Sequence, residues 1–287
     1  MGVTQSIPEL AVAAVQLNAG ADKQANIDRA GQLVARAAAA GARLVVLPEK
    51  WNGFGSSKIL RACAEGLDDG PSVAAMGDWA REHAIHLVGG SITERSGSGR
   101  LFNTSLVFDP SGDLVATYRK IHLFDVEVGG HVYRESDVED PGEEIATADV
   151  EGWTVGLSVC YDLRFPELYR ILTLRGANVL VVPAAFTMAT GRDHWELLLR
   201  ARAVENQCYV VAADDWGEHP GGRRTYGRSM IVDPWGVVIA QASDGDAVVT
   251  ATIDMARVEE VRTSLPALAN RRPPAYEWPE PALTQQR

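Results

Sequence analysis

Cysteine and lysine are scarce in this chain of 287 residues: it has three cysteines, and of 27 basic residues only four are lysine. Cys63, Cys160 and Cys208 lie too far apart for a close-spaced zinc signature, and an odd number cannot all pair within one chain, which excludes a disulfide-built scaffold. Free thiols fit a reducing compartment, so a cytoplasmic location is expected. No apolar run approaches the ~18 residues that a membrane span needs. The opening MGVTQSIPELAVAAVQL lacks a basic n-region, so no secretory signal is expected; Met1-Gly2 with Ser6 formally matches an acylation pattern but has no polybasic neighbour. A positive field is missing too. With 38 acidic residues against 27 basic ones the formal charge is -11, which argues against non-specific nucleic-acid binding, where lysine and arginine must replace phosphate counterions.

Apolar residues make up 46% of the chain and charged ones 23%, enough to bury a core and exclude disorder as the main state. One domain over 1–287 is expected, with a core over about 10–262 and a C-terminal extension from about 263. Leu10 to Leu17 reads as a buried strand, Asp22 to Ala40 as a helix stopped by Gly41, and Leu44 to Leu47 as a second buried strand ending at Pro48-Glu49. After a helix over 71–84, strand-like runs over 85–92, 101–108 and 114–118 form a meander. The pattern then recurs: strand 154–159, helix 166–174, strand 178–182, helix 193–206, and four strands between 209 and 253. Both halves hold an aliphatic strand running into proline, LVVLPE and VLVVPA, which suggests two related sheets packed face to face with helices outside. Between the halves, residues 120–143 lack periodicity, and such a segment inside a domain is a candidate site.

Cys160 sits where TVGLSV ends and a polar turn, YDLRFPEL, leads into a helix. A thiol there is held by the strand beside exposed backbone N–H groups that can steady an oxyanion, although a lone cysteine without context reads first as a packing residue. Glu49 leaves a strand at the same sheet edge if the strands are parallel, and beside a thiol it could accept the proton. Lys120 opens the irregular segment and would favour a thiolate or an oxyanion; Glu135 could orient it. For each the plain alternative is a solvated surface charge. His122, His131 and His194 have no metal-ligand spacing and read as structural or surface residues, and no metal is expected.

LVVLPEKW, TYRKIHLFDVEV, RESDVEDPGEE, GLSVCYDLRFPELYR, VLVVPAAF and TGRDHWELLLRARAVENQCYVVAA, in that order from about Leu10 to Tyr276, together resemble the nitrilase (carbon–nitrogen hydrolase) superfamily. The resemblance implies an α/β fold, a four-layer α-β-β-α sandwich with two central mixed sheets, usually dimerising across a helical face. It implies a Glu–Lys–Cys triad of Glu49, Lys120 and Cys160 with Glu135 as a fourth acid, an oxyanion site at the Tyr161 backbone N–H, and no metal or organic cofactor. The implied reaction is covalent: attack on a C–N carbon, loss of ammonia or an amine, and hydrolysis of a thioester.

YRKIHLFDV, CYDLRFPEL and HWELLLRARAVENQ are most similar to the branch of omega-amidases and deaminated-glutathione amidases. That similarity implies a small amide bearing a carboxylate, met by Arg164 and lined by Phe186 in VLVVPAAF. Arginine suits a carboxylate because its planar fork makes two hydrogen bonds, but a salt bridge to Glu167 is an equal alternative for Arg164. A carbamoyl-amino-acid hydrolase, a true nitrilase and an inactive scaffold of the same fold are the competing readings. Lys50 and Trp51 after Glu49, the Arg192-Asp193 pair, and Asp214-Asp215 with Gly221-Gly222-Arg223-Arg224 depart from the branch pattern.

Overall fold

The first strand is apolar on both faces because both are covered. In the computed structural model, which describes residues 9–277, β1 (Leu10–Gln16) sends Val12 and Ala14 into a core shared with a second sheet and Ala13 and Val15 into a core under helices. Successive side chains of a strand point to opposite faces, so a doubly covered strand reads as a continuous aliphatic run. α1 (Lys23–Ala39) is capped by Asp22, whose Oδ1 accepts from the Ala25 N–H at 3.1 Å, and buries Ile27, Ala30, Leu33, Val34 and Ala37. β2 (Leu44–Val46), α2 (Ser57–Cys63), α3 (Pro71–His83), β3 (His86–Val88), β4 (Ile92–Arg95), β5 (Leu101–Phe108) and β6 (Leu114–Arg119) follow. The expected strand over 85–92 is thus two strands. Gly90 breaks it with φ +60°, packed so closely on the Pro48 carbonyl that a Cβ would lie 1.9 Å from that oxygen.

The segment expected to be irregular holds a small hairpin, β7 (Asp125–Val128) and β8 (His131–Arg134), closed by Gly129-Gly130 with φ +61° and +75°. The second half runs β9 (Thr147–Val150), β10 (Trp153–Leu157), α4 (Pro166–Leu174), β11 (Val179–Ala184), α5 (Met188–Asn206), β12 (Tyr209–Asp214), β13 (Trp216–Glu218), β14 (Arg224–Tyr226), β15 (Met230–Val232), β16 (Val238–Gln241), β17 (Ala247–Ile253) and α6 (Met255–Ser264). α5 starts at Met188 rather than Asp193. Thr187 caps it, and Gly191 lets its first turn lie against Tyr226, where a Cβ would come within 2.3 Å of the tyrosine's own Cβ.

One sheet has the order β17-β1-β2-β3-β5-β4 with β6 on β5, the other β16-β15-β12-β11-β10-β9. Each centres on three parallel strands, β1-β2-β3 and β10-β11-β12, with antiparallel neighbours outside. β1 and β2 pack against β12, α1 and α3 cover the outer face of the first sheet, and α4 and α5 cover that of the second. The fold is therefore the four-layer α-β-β-α sandwich with two mixed sheets. Met1, Gly2 and Ser6 of the acylation pattern, and the end of the C-terminal extension, lie outside the described residues. Among the described residues no helix is long and apolar enough to cross a membrane.

Candidate active site

The two parallel triplets deliver their strand ends to one place. Glu49 leaves β2 through Pro48, Cys160 follows β10, and Ala185 and Phe186 follow β11. Lys120 directly follows β6, where its N–H donates to the Asn103 carbonyl of β5 at 2.8 Å. Glu135 opens a one-turn 3-10 helix after β8. The structure brings these four side chains together: Lys120 Nζ lies 2.9 Å from Glu49 Oε1 and 2.8 Å from Glu135 Oε2. Glu49 also accepts from Asn103 Nδ2 at 2.7 Å and, through Oε2, from the Ala185 N–H at 3.0 Å. Cys160 has φ +48°, a left-handed conformation that costs a non-glycine residue about 1–2 kcal/mol.

That turn is braced by Asp162. Its fully buried carboxylate accepts from Tyr118 Oη at 2.7 Å, the Val159 N–H at 2.9 Å and the His122 N–H at 3.1 Å, and lies 2.7 Å from His122 Nδ1. His122 stacks on Phe165 with 3.6 Å between ring centroids. It is thus a structural support; His131 is exposed, and no metal-binding cluster occurs among the described residues.

Charge at the centre is set by burial and by neighbours. Burial pushes the Cys160 thiol up, Glu49 pushes it further, and Lys120 opposes them only in part, so the group is a thiol at rest whose proton needs a base. Burial alone would lower Lys120, but Glu135 and Glu49 hold it well above the usual lysine range. Burial would likewise raise Glu135, yet Lys120 and Lys50 keep it well below the usual carboxylate range. A thiol, a carboxylate and an ammonium whose charge its neighbours favour can, in this order, pass a proton from sulfur to Glu49 and stabilise an oxyanion beside Lys120.

These residues floor a pocket walled by Phe54, Phe124, Tyr133, Tyr161, Arg164 and Phe186. Arg164 makes no ion pair with Glu167; its guanidinium lies over the Phe186 and Tyr161 rings at 5.3 and 5.8 Å and its Nη1 is 3.3 Å from His194 Nδ1. Cys63 and Cys208 are buried and unpaired outside the pocket lining.

Three residues of this site are not assigned a role by the sequence: Asn103, and Lys50 and Glu139, which lie inside recognisable motifs. Asn103 sits in a fully buried strand beside Thr104 and Ser105, and a buried amide needs a partner, here Glu49. Lys50 and Glu139 pair at 2.8 Å, and Lys50 also reaches Glu135 at 2.8 Å. Lys50 stood out in the sequence only as an oddly charged neighbour of Glu49.

The fold and this cluster define a cysteine-containing hydrolase of the α-β-β-α class. The model of the carbon-nitrogen hydrolase family matches residues 11–263, and the chain belongs to that family. It is 41% identical to the Homo sapiens omega-amidase NIT2 over 266 residues, 92% of this chain and 96% of that protein. A chloroplastic omega-amidase of Arabidopsis thaliana is 41% identical over 91% of this chain and 72% of its own length. Among solved structures, the C. elegans NitFhit protein superposes with a TM-score of 0.87 at 37% identity, covering 95% of this chain and 67% of that one. A mutant amidase from Nesterenkonia sp. AN1, TM-score 0.75 at 26% identity over 96% of this chain and 98% of that one, has the acetamide moiety of fluoroacetamide covalently added at its active-site cysteine.

Proposed function

We propose that this protein is an omega-amidase-like hydrolase that releases ammonia from a small amide bearing a carboxylate, with Cys160 as nucleophile. The observation that carries the reading is the buried set of Cys160, Glu49, Lys120 and Glu135 on the floor of a pocket whose wall presents Arg164. Similarity to proteins named omega-amidase over nine-tenths of the chain supports the substrate class.

Glu49 takes the Cys160 proton as sulfur bonds to the amide carbon. The carbonyl oxygen becomes an oxyanion facing Lys120 and the Tyr161 N–H. Glu49 returns the proton to nitrogen, the C–N bond breaks, and ammonia leaves a thioester. Glu49 next deprotonates water, which attacks the thioester carbon; the acid product departs and Glu49 reprotonates the Cys160 sulfur. Glu135 holds Lys120 throughout, and Arg164 and Phe186 hold the carboxylate end of the substrate.

A panel of alpha-keto omega-amides, deaminated glutathione, carbamoyl amino acids and nitriles tests the reading by product identity. Ammonia from an omega-amide as the main activity is expected; carbon dioxide with ammonia from carbamoyl substrates as the main activity would replace it, and an untouched panel would indicate an inactive scaffold. Arg164→Ala is expected to lower kcat/KM on carboxylate-bearing amides by about 100-fold, the scale of losing a charge-assisted pair, and to spare neutral amides. An equal loss on both would remove the carboxylate role.

Exposed Ile171 and Leu174 on α4 and Leu197 and Val204 on α5 support a homodimer across this helical layer. Light scattering should return twice the chain mass of 30.9 kDa, and Leu197→Glu should shift it to the single-chain value. Three buried, unpaired thiols support a cytoplasmic setting.

A further inference from the structure

On the pocket floor, four charged side chains of alternating sign close into a ring. Glu49 meets Lys120 at 2.9 Å, Lys120 meets Glu135 at 2.8 Å, and Glu135 meets Lys50 at 2.8 Å. Lys50 is the next residue after Glu49, so the backbone itself closes the circuit. Glu139 joins from outside, 2.8 Å from Lys50, and accepts from Thr93 Oγ1 at 3.3 Å. The reaction proposed above uses Glu49, Lys120 and Glu135. Lys50 and Glu139 have no part in moving its protons, yet they are only 4% and 2% exposed. Burying a second ammonium is costly unless its partners return something.

What is returned concerns the two oxygens of Glu135. Oε2 accepts from Lys120 Nζ and from the Phe124 N–H, each at 2.8 Å. Oε1 accepts from Lys50 at 2.8 Å and otherwise has only a long contact from Asn103 Nδ2 at 3.5 Å. Without the Lys50 ammonium, Oε1 has no close donor and the carboxylate can turn both oxygens onto Lys120. A carboxylate shared by two cations neutralises neither fully, whereas one held by a single cation neutralises that cation. The turn is built for this reach: Lys50 has φ +50°, its N–H donates to Ser91 Oγ at 3.1 Å, and its carbonyl accepts from the Gly53 N–H at 3.0 Å. Glu49 and Lys50 thus reach opposite sides of the ring from adjacent positions.

We propose that Lys50 is a positioning residue for the reaction: by gripping Glu135 Oε1 it fixes that carboxylate and leaves Lys120 aimed and electropositive for the oxyanion. The proposal rests on the assignment of Cys160, Glu49 and Lys120 to the chemistry. Glu135 is faced by Lys120 from the end of β6, by Lys50 and Glu49 from the turn after β2, and by Glu139 from its own segment. Removing Lys50 takes away one of the two cations that hold Glu135 ionised, so Glu135 gains a proton at higher pH.

The test compares Lys50→Met with the double variant Lys50→Met/Glu139→Gln, which also removes the carboxylate that Lys50 leaves unpaired. In both, kcat should fall on the order of 100-fold, the scale of a misplaced catalytic group, with KM little changed. The acid limb of the kcat–pH profile should move to higher pH in both, while thermal unfolding of the double variant should lie closer to wild type than that of the single one. Wild-type kinetics in the double variant would overturn the proposal, because the lost activity of Lys50→Met would then come from the stranded Glu139 alone. An unmoved acid limb, or loss of the fold in both variants, would overturn it as well by reducing Lys50 to a structural ion. Turnover by wild type and its loss in Cys160→Ser report on the underlying assignment separately.

Discussion

Cys160→Ala is expected to abolish amide turnover, by a factor on the order of 10⁶, while the protein unfolds at nearly the wild-type temperature. The size follows from covalent catalysis, in which removing the nucleophile costs about as much as removing the whole catalytic set. The small effect on the fold follows from the change itself: the sulfur leaves a small gap, and Glu49 keeps Lys120, Asn103 and the Ala185 N–H as partners. Calorimetry beside an ammonia assay checks both halves. The wild-type thiol should also alkylate faster as pH rises, because burial and Glu49 hold its proton on and only the thiolate reacts. Turnover in Cys160→Ala would end the nucleophile assignment.

Lys120→Met is the second large effect, and it falls on activity and stability together. The oxyanion loses an ammonium that water cannot replace, which costs about 10²–10³ in kcat. Glu49 and Glu135 lose the cation they share, and breaking a buried pair from one side costs about 3–5 kcal/mol. The pH dependence has a definite sign. Lys120 is raised above 10.5 in the folded protein, so its contribution is complete below that value and is lost as pH rises through the folded pKa. Glu135 is held below 4.5, so its contribution is complete above that value and is lost as pH falls through its depressed pKa. The stability deficit of Lys120→Met is therefore greatest between about pH 4.5 and 10.5 and shrinks in acid, where the stranded carboxylates take protons. Denaturant titrations across pH measure it. Equal stability of variant and wild type at pH 7 would mean that the buried pairs contribute nothing to the fold.

This second result shows where reading the sequence stops. Lys120 is visible there as one cation near a strand end; that it serves two buried carboxylates depends on where β6, β2 and the turn after β8 meet in space. Strands such as β5, β11 and β17 are legible because burial on both faces, or at a sheet edge, leaves a local record of β-branched and aliphatic residues. β3 and β4 are not separable by that record, since only the contact of Gly90 with the Pro48 carbonyl decides the break. The hairpin β7–β8 hides for the opposite reason: its strand residues are half-buried or exposed and none is buried, so hydrophobic alternation is weak, and Gly129-Gly130 is its one signal. Glu49, Lys120, Glu135 and Cys160 are identifiable by resemblance, whereas Asn103, Lys50 and Glu139 belong to contacts between segments far apart in the chain. Buried polar side chains in apolar surroundings are the cue that such contacts leave, and the cue does not name the partner.

The net charge of -11 is likewise uninformative about the pocket, whose lining gathers Lys50, Lys120, Arg134, Arg164, Arg223 and Arg224 against the carboxylates of Glu49 and Glu135, with Glu139 behind Lys50. Local focusing of positive charge within an acidic protein is what an anionic amide would meet on approach.

The most direct test of the central claim is mass spectrometry of the protein quenched during turnover of an alpha-keto omega-amide. The account predicts one acyl adduct, equal to the substrate less ammonia, on the peptide containing Cys160, sensitive to hydroxylamine as a thioester is and absent from Cys160→Ala. Steady ammonia release with no adduct at Cys160, under conditions where deacylation has been slowed, would contradict it.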